Sequence, residues 1–223
     1  MRYNELTEEA PHTEELDDIV SSVDEFVELI QNDCSEIIDV YRKANGNALY
    51  RGINGIRPTG NKIDYWEYRT PVDMSSNRQD MIDDVLHRQG MKAVRGNSIF
   101  TSPRMKIAKD WGSPFIVFPM NGFQYTWFKN QNKGDYMYFV FNAIIDDSLE
   151  EYRNLDDDES HNDFPTAEKF IMDQLYLMTE QYEPMNTNLE MAIEEGKEVL
   201  ITGPNSYYAI PLSWEHYLPQ LLA

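Results

Sequence analysis

The order of helical and strand-like segments constrains the fold of this chain more than any other feature of its sequence. Apolar residues recur at helical spacing in the acidic segment 13–44, which predicts one or two amphipathic helices. Short strand-like segments and further helices follow, without the regular alternation that a doubly wound parallel sheet requires. The sequence therefore predicts an α+β fold with mostly antiparallel strands.

The strand-like segments are short and rich in aromatic and β-branched residues, which favour extended backbone. They are predicted at residues 48–53, 98–101, 114–120, 123–128, 136–145, 198–202 and 206–210. The turn-forming residues 203–205 separate the last two segments, which predicts a β-hairpin. A turn-rich loop is expected at residues 55–60, and the highly charged segment 146–163 is expected to be an exposed connection.

Helices after the N-terminal segment are predicted from capping residues and apolar spacing at residues 75–89, 165–182 and 187–195. Another is predicted to begin at Ser102. There the serine is expected to be the N-cap and Pro103 the first helical residue, a position that tolerates the missing N–H of proline. A corner between a strand and a helix is therefore expected at Ser102.

The length of 223 residues, 41% of them hydrophobic, suffices for one substantial core. We expect a single domain over residues 1–223, with a helical N-terminal part at 1–46 and a core at 47–223. The lone Cys34 excludes an internal disulfide, and the N-terminus lacks the apolar stretch of a signal peptide, so a reducing, cytoplasmic setting is expected. No apolar run approaches the ~20 residues that cross a bilayer, so no membrane partner is expected.

The charge of the chain limits its partners. A formal net charge of -20 repels phosphate backbones, so nonspecific nucleic-acid binding is disfavoured and basic partners are favoured. Acidic surfaces also keep many proteins soluble, so the charge identifies no function by itself.

Several common site types are not predicted. The histidines lack the spacing of metal ligands or of a catalytic triad, and the acidic run 156–159 lacks the glycine and alternating ligands of an EF-hand. No metal site is therefore expected. The glycine-rich loops of Rossmann and P-loop domains are also missing from the sequence, which argues against those nucleotide-binding folds.

Three short motifs occur far apart in the chain. Arg51 lies in Leu-Tyr-Arg-Gly, Thr101 and Ser102 lie in Ser-Ile-Phe-Thr-Ser, and Glu198 lies in Lys-Glu-Val-Leu-Ile-Thr-Gly. In this order they resemble the Arg-Ser-Glu pattern of the mono-ADP-ribosyltransferases. Two further segments, Tyr-Arg-Thr-Pro-Val-Asp at 68–73 and Phe-Pro-Met-Asn-Gly-Phe at 118–123, are similar to the layout of bacteriophage-encoded members of that family.

The resemblance implies an ADP-ribosyltransferase-like fold of two small, mostly antiparallel sheets, with NAD as a consumed substrate in the cleft between them. The Arg51 guanidinium matches the geometry of a pyrophosphate, and Gly52 would let the backbone approach the nicotinamide carboxamide. Glu198 is expected to stabilise the oxocarbenium-like ribose and to bind its hydroxyls. Thr101 and Ser102 are expected to orient Glu198 or the ribose.

An aromatic face is expected beside the nicotinamide ring. The candidates are the aromatic residues of the central strand-like segments, Phe115, Phe118, Tyr125 and Trp127, each of which is equally well interpreted as sheet core. Ser102 is likewise interpretable as a helix cap alone. Gly196 occupies the position where arginine-modifying members usually have a second glutamate, which leaves the acceptor residue open.

The predicted function is transfer of ADP-ribose from NAD to a macromolecule, with release of nicotinamide and with a host-cell protein as the expected acceptor. The alternative is a non-enzymatic acidic protein that binds or inhibits a partner through a basic surface, consistent with the charge. An enzyme of the same fold that acts on nucleic acid is a further alternative, which Gly196 permits and the acidic surface disfavours.

Overall fold

A computed structural model describes residues 12–20, 22–65, 75–131, 137–154, 166–204 and 206–223 of the protein. The strands are β1 (Thr13–Glu15), β2 (Tyr50–Ile53), β3 (Asn61–Asp64), β4 (Ile99–Thr101), β5 (Ser113–Pro119), β6 (Gln124–Phe128), β7 (Pro184–Met185), β8 (Val199–Thr202) and β9 (Ser206–Pro211). The helices are α1 (Leu16–Ile19), α2 (Val23–Asp33), α3 (Ser35–Lys43), α4 (Ser76–Arg88), α5 (Met105–Trp111), α6 (Met137–Arg153), α7 (Ala167–Tyr182), α8 (Leu189–Glu195) and α9 (Leu218–Leu221), with short 3-10 helices at Arg95–Asn97 and Leu212–Tyr217. The fold is α+β with two antiparallel sheets, as the order of the segments predicted.

Sheet 1 has the strand order β1-β3-β9-β5-β2, and the N-terminal helices cover one of its faces. Side chains alternate between the two faces of a strand, so Phe118 of β5 and its cross-strand partner Tyr208 of β9 share a face. Phe118 meets Tyr41 of α3 edge to face at 5.6 Å, and Tyr208 meets Phe26 of α2 at 5.5 Å. The amphipathic N-terminal helices therefore bury their apolar faces against sheet 1.

Sheet 2 has the order β4-β8-β6-β7 and shares one core with the other face of sheet 1. Ile99 and Ile201 of sheet 2 belong to the same buried cluster as Val117 of sheet 1. On the opposite face of sheet 2, Phe128 meets Phe141 of α6 at 5.8 Å, and α4, α6 and α7 supply the rest of a second cluster. The described part of the chain is thus layered as helices, sheet 1, sheet 2 and helices.

The two sheets meet along one edge. Tyr50 of β2 and Ser102, just after β4, exchange backbone hydrogen bonds of 2.8 and 2.9 Å. Buried residues of both sheets form one common core, and the NAD cleft that the resemblance implies stays a prediction. The junction of β2 and β4 is the place where the two sheets leave polar groups close together.

The helical pattern of the N-terminal segment is confirmed in three helices between residues 16 and 43, with one break between Ile19 and Val23 and another at Cys34. The prediction was wrong at residues 13–15, which form a strand paired with β3. Strand β3 was itself not predicted, because residues 61–64 contain three polar side chains and one isoleucine. Pairing with β9 of the buried sheet makes this polar segment a strand.

The predicted strand at residues 136–145 is wrong, because α6 occupies residues 137–153. Its aromatic and β-branched composition favours a strand, yet the buried side chains in this helix have helical spacing. They are Phe141, Ile144, Ile145 and Ser148. The same helix includes the first part of the predicted exposed connection at 146–163. Asn154 follows the helix, and the rest of the connection lies outside the described residues.

The predicted hairpin of the last two strands is also wrong. β8 lies between β4 and β6 in sheet 2, whereas β9 lies between β3 and β5 in sheet 1. Both strands are interior strands that find their hydrogen-bond partners in other parts of the chain. The turn residues after β8 therefore connect the two sheets.

Helix α5 begins at Met105 with Arg104 as its N-cap, so the assignment of Ser102 as the cap and Pro103 as the first helical residue was wrong. The segment 68–73 lies outside the described residues. No helix in the described ranges is long and apolar enough to cross a bilayer.

Candidate functional site

Backbone pairing brings the three motif residues to neighbouring strands or strand ends: Arg51 lies in β2, Ser102 directly follows β4 and Glu198 directly precedes β8. Tyr50, beside Arg51, pairs with Ser102, and Thr101 pairs with Val199 in antiparallel register. One step further along the same register, Ser102 faces Glu198. With neighbouring strands about 4.8 Å apart, the Cα atoms of Arg51 and Glu198 lie on the order of 10 Å from each other.

Arg51 is half-buried and joins the two sheets. Its Nη1 donates a hydrogen bond of 3.3 Å to the carbonyl oxygen of Phe100 in β4. This contact fixes the guanidinium at the junction of β2 and β4, where the fork can also meet an anionic group.

Gly52 has a packing role that the sequence did not reveal. A Cβ at this position would lie 2.1 Å from the carbonyl oxygen of Ala108 and 2.7 Å from the backbone nitrogen of Gly112. The missing side chain therefore allows the backbone of α5 to approach β2 closely. That contact explains the glycine without a ligand.

The hydroxyls of Thr101 and Ser102 are buried and bonded to backbone. Thr101 Oγ1 donates to the carbonyl of Val199 at 2.9 Å, and the backbone N–H of Arg104 donates to Ser102 Oγ at 3.1 Å. Thr101 strengthens the pairing of β4 with β8. Ser102 shapes the corner before α5 and lies opposite Glu198.

Glu198 is only 8% exposed, and its surroundings are mostly apolar. It lines a small cavity together with one cation and six apolar side chains. The lining residues are Ile82 and Leu86 of α4, Arg95, Phe100 and Leu200 of the paired strands, Phe128, Phe141 and Glu198 itself. The enclosed volume is about 10 Å³, room for about one water molecule, so a substrate reaches Glu198 only if the surrounding side chains move.

The segment that leads into Glu198 is held in place from both sides. Gly196 has φ +75° where α8 ends, a left-handed conformation that favours glycine over the glutamate of arginine-modifying enzymes. Next to it, Lys197 Nζ donates to the carbonyls of Lys129 and Gln131 at 2.9 and 2.7 Å. These contacts fix the backbone at the start of β8.

Arg95 was not identified by sequence reasoning. It is 4% exposed, and its guanidinium lies over the ring of Phe100 at 5.0 Å from the centroid. The backbone N–H groups of Arg95 and Gly96 donate to the two carboxylate oxygens of Asp83 at 2.8 and 2.9 Å. No signal in the sequence singled out this arginine, because the stretch before β4 also contains Lys92, Asn97 and Ser98.

Asp83 anchors this segment and titrates near neutral pH. Burial raises its pKa from 3.8 to about 6, although the two N–H donors and the charge of Arg95 favour the ionised form. Between about pH 4 and about pH 6, the Asp83 carboxyl is protonated in the folded protein and ionised in the unfolded chain. The contribution of Asp83 to stability therefore falls as the pH rises from about 4 to about 6.

Asp83→Asn is expected to remove this pH dependence. The stability of the wild type relative to the variant should decrease by about 3 kcal/mol between pH 4 and pH 7, since each pH unit across the window corresponds to about 1.4 kcal/mol. Urea denaturation of both proteins at pH 4, 5, 6 and 7 measures this difference. Parallel stability curves would show that Asp83 ionises normally in the folded state.

The aromatic candidates for nicotinamide stacking lie mainly in the core. Phe115, Phe118 and Trp127 are at most 1% exposed, and Trp127 Nε1 donates to the carbonyl of Thr187 at 2.8 Å. Tyr125 is half-buried, but by strand alternation it faces the side of sheet 2 opposite Glu198 and Leu200. These positions agree with the core interpretation of Phe115, Phe118 and Trp127, whereas Tyr125 is only partly buried against the core.

The sequence and the fold were compared with known proteins. Family models, curated proteins and solved structures give no match to the chain.

Proposed function

We propose that the protein is a mono-ADP-ribosyltransferase that consumes NAD. The observation that supports this best is the strand register, in which Arg51 lies in β2, Ser102 directly follows β4 and Glu198 directly precedes β8. The same three residue types, in the same chain order, carry the resemblance to that family. We expect an NAD molecule bound across this junction to contact the guanidinium and the carboxylate.

The proposed reaction breaks the bond between C1′ of the ribose and the nicotinamide nitrogen. The bonding electron pair leaves with nicotinamide, positive charge develops on the ribose, and the acceptor attacks C1′ and loses a proton. The Glu198 carboxylate stabilises that positive charge. Arg51 binds the pyrophosphate through its planar guanidinium fork.

The acceptor is proposed to be a basic protein, with a host-cell protein as the expected source. A net charge of -20 attracts basic surfaces and repels nucleic acid. Gly196 replaces the second glutamate of arginine-modifying enzymes, so the acceptor side chain is to be found by mapping the modified site. The same charge supports the alternative of a non-enzymatic acidic protein that binds a basic partner.

Glu198→Gln is expected to reduce nicotinamide release from NAD by about 10²- to 10³-fold, since the amide cannot stabilise a developing cation as a carboxylate does. The assay uses purified protein with cell lysate as acceptor, and biotin-labelled NAD reports the transfer. Glu194→Gln is the matched control, because Glu194 is exposed and its carboxylate accepts a bond from Asn45, away from the proposed site. The control should release nicotinamide at the wild-type rate.

The opposite outcome has a clear meaning. If the wild type neither releases nicotinamide nor binds NAD, the enzyme proposal is wrong, and the acidic binding protein becomes the better explanation. If it binds NAD without cleaving it unless lysate is present, the acceptor itself is needed for the reaction.

A further inference from the structure

The cavity beside Glu198 combines two opposite charges with an apolar lining. Arg95 and Glu198 are its charged residues, and both are at least nine-tenths buried. The other lining side chains are aliphatic or aromatic and come from sheet 2, α4 and α6. In such surroundings a charge without a counter-ion is strongly unfavourable.

Two contacts other than one with Glu198 hold Arg95 in place. Its ring partner Phe100 pairs directly with Leu200, which lies two residues after Glu198 on the same face of β8. Its backbone is bonded to Asp83 of α4. The guanidinium is therefore presented on the side of sheet 2 where the Glu198 carboxylate lies.

We propose that Arg95 is a positioning residue for Glu198, pairing with its carboxylate inside the cavity and holding it ionised and oriented for its role at the ribose. The guanidinium suits this role because it stays charged and presents several donors in a planar fork. Arg95 itself does not contact NAD in this arrangement. The catalytic part of the inference rests on the proposed function, whereas the pairing does not.

A double-mutant cycle on thermal stability tests the pairing without any assay of activity. Arg95→Met keeps much of the side-chain volume but leaves Glu198 buried without its cation, so the Tm should fall by about 10 °C. In the Glu198→Gln background, Arg95→Met should lower the Tm by less than half of its effect in the wild type, because no carboxylate is left without its counter-ion. Additive Tm losses would overturn the proposal.

Lys197 provides the matched control, because it is the cation next to Glu198 in the chain and its ammonium is bonded to backbone carbonyls. Lys197→Met and Glu198→Gln should give additive Tm changes. If Arg95→Met does not fold, Arg95→Lys serves instead. Arg95→Lys keeps the positive charge but loses the planar fork of donors. Its Tm loss in the Glu198→Gln background should be less than half of its Tm loss in the wild type, and additive losses would again overturn the pairing.

Kinetics then separate positioning from a purely structural role. Arg95→Lys is expected to lower kcat for nicotinamide release about tenfold while the KM for NAD stays unchanged, because lysine cannot hold the carboxylate in a bidentate geometry. A raised KM with unchanged kcat would overturn the positioning role. If the two Tm losses are not additive but the protein never cleaves NAD, the pairing of Arg95 with Glu198 stands and only the proposed function is refuted.

Discussion

Gly52→Ala is expected to lower the free energy of unfolding by at least about 3 kcal/mol or to prevent folding altogether. The added Cβ would lie 2.1 Å from the Ala108 carbonyl oxygen and 2.9 Å from the Trp111 carbonyl carbon. Both atoms belong to the backbone of α5 or its end, so a change of rotamer cannot relieve the overlap. Urea denaturation followed by circular dichroism measures the loss.

Gly55→Ala is the matched control for this prediction. Gly55 has φ +79° and no atom within 4 Å of a built Cβ, so alanine there is strained but not crowded. The expected loss is about 1 kcal/mol. Equal losses at the two positions would show that contact with α5 is not the reason for the glycine at position 52. Retention of stability by Gly52→Ala would leave the backbone approach to nicotinamide as the better explanation.

Phe118→Ala is expected to destabilise the protein by about 3–5 kcal/mol, because the side chain is fully buried in the core between sheet 1 and α3. Phe118→Leu keeps most of the apolar volume and should cost about 1.5 kcal/mol or less. Chemical denaturation of both variants gives the two values.

The same leucine variant distinguishes the core interpretation from nicotinamide stacking. With Phe118 in the core, Phe118→Leu should bind NAD with an unchanged KM. A KM raised several-fold in a variant of near wild-type stability would restore Phe118 as part of the NAD site, since loss of a stacked ring weakens substrate binding directly.

Local patterns predicted most elements of the fold because they depend on neighbouring residues alone. The periodic apolar residues of α2 and α3 and the β-branched run of β5 specify a helix and a strand wherever they are placed. The segment 137–153 defeated the same reasoning, because its composition favours a strand while its packing against Phe128 favours a helix. A tertiary contact decided between the two.

For the candidate site, the sequence by itself determined three motif residues, their order and the chemistry that their types allow. It also determined the α+β class, since the spacing of apolar residues within each segment indicates a helix or a strand. Only the tertiary structure decided that β8 and β9 belong to different sheets, that Gly52 makes room for α5, and that Arg95 shares a cavity with Glu198. Such relations join residues far apart in the chain. They are established by hydrogen-bond pairing and by exclusion of water from the core, which act across space.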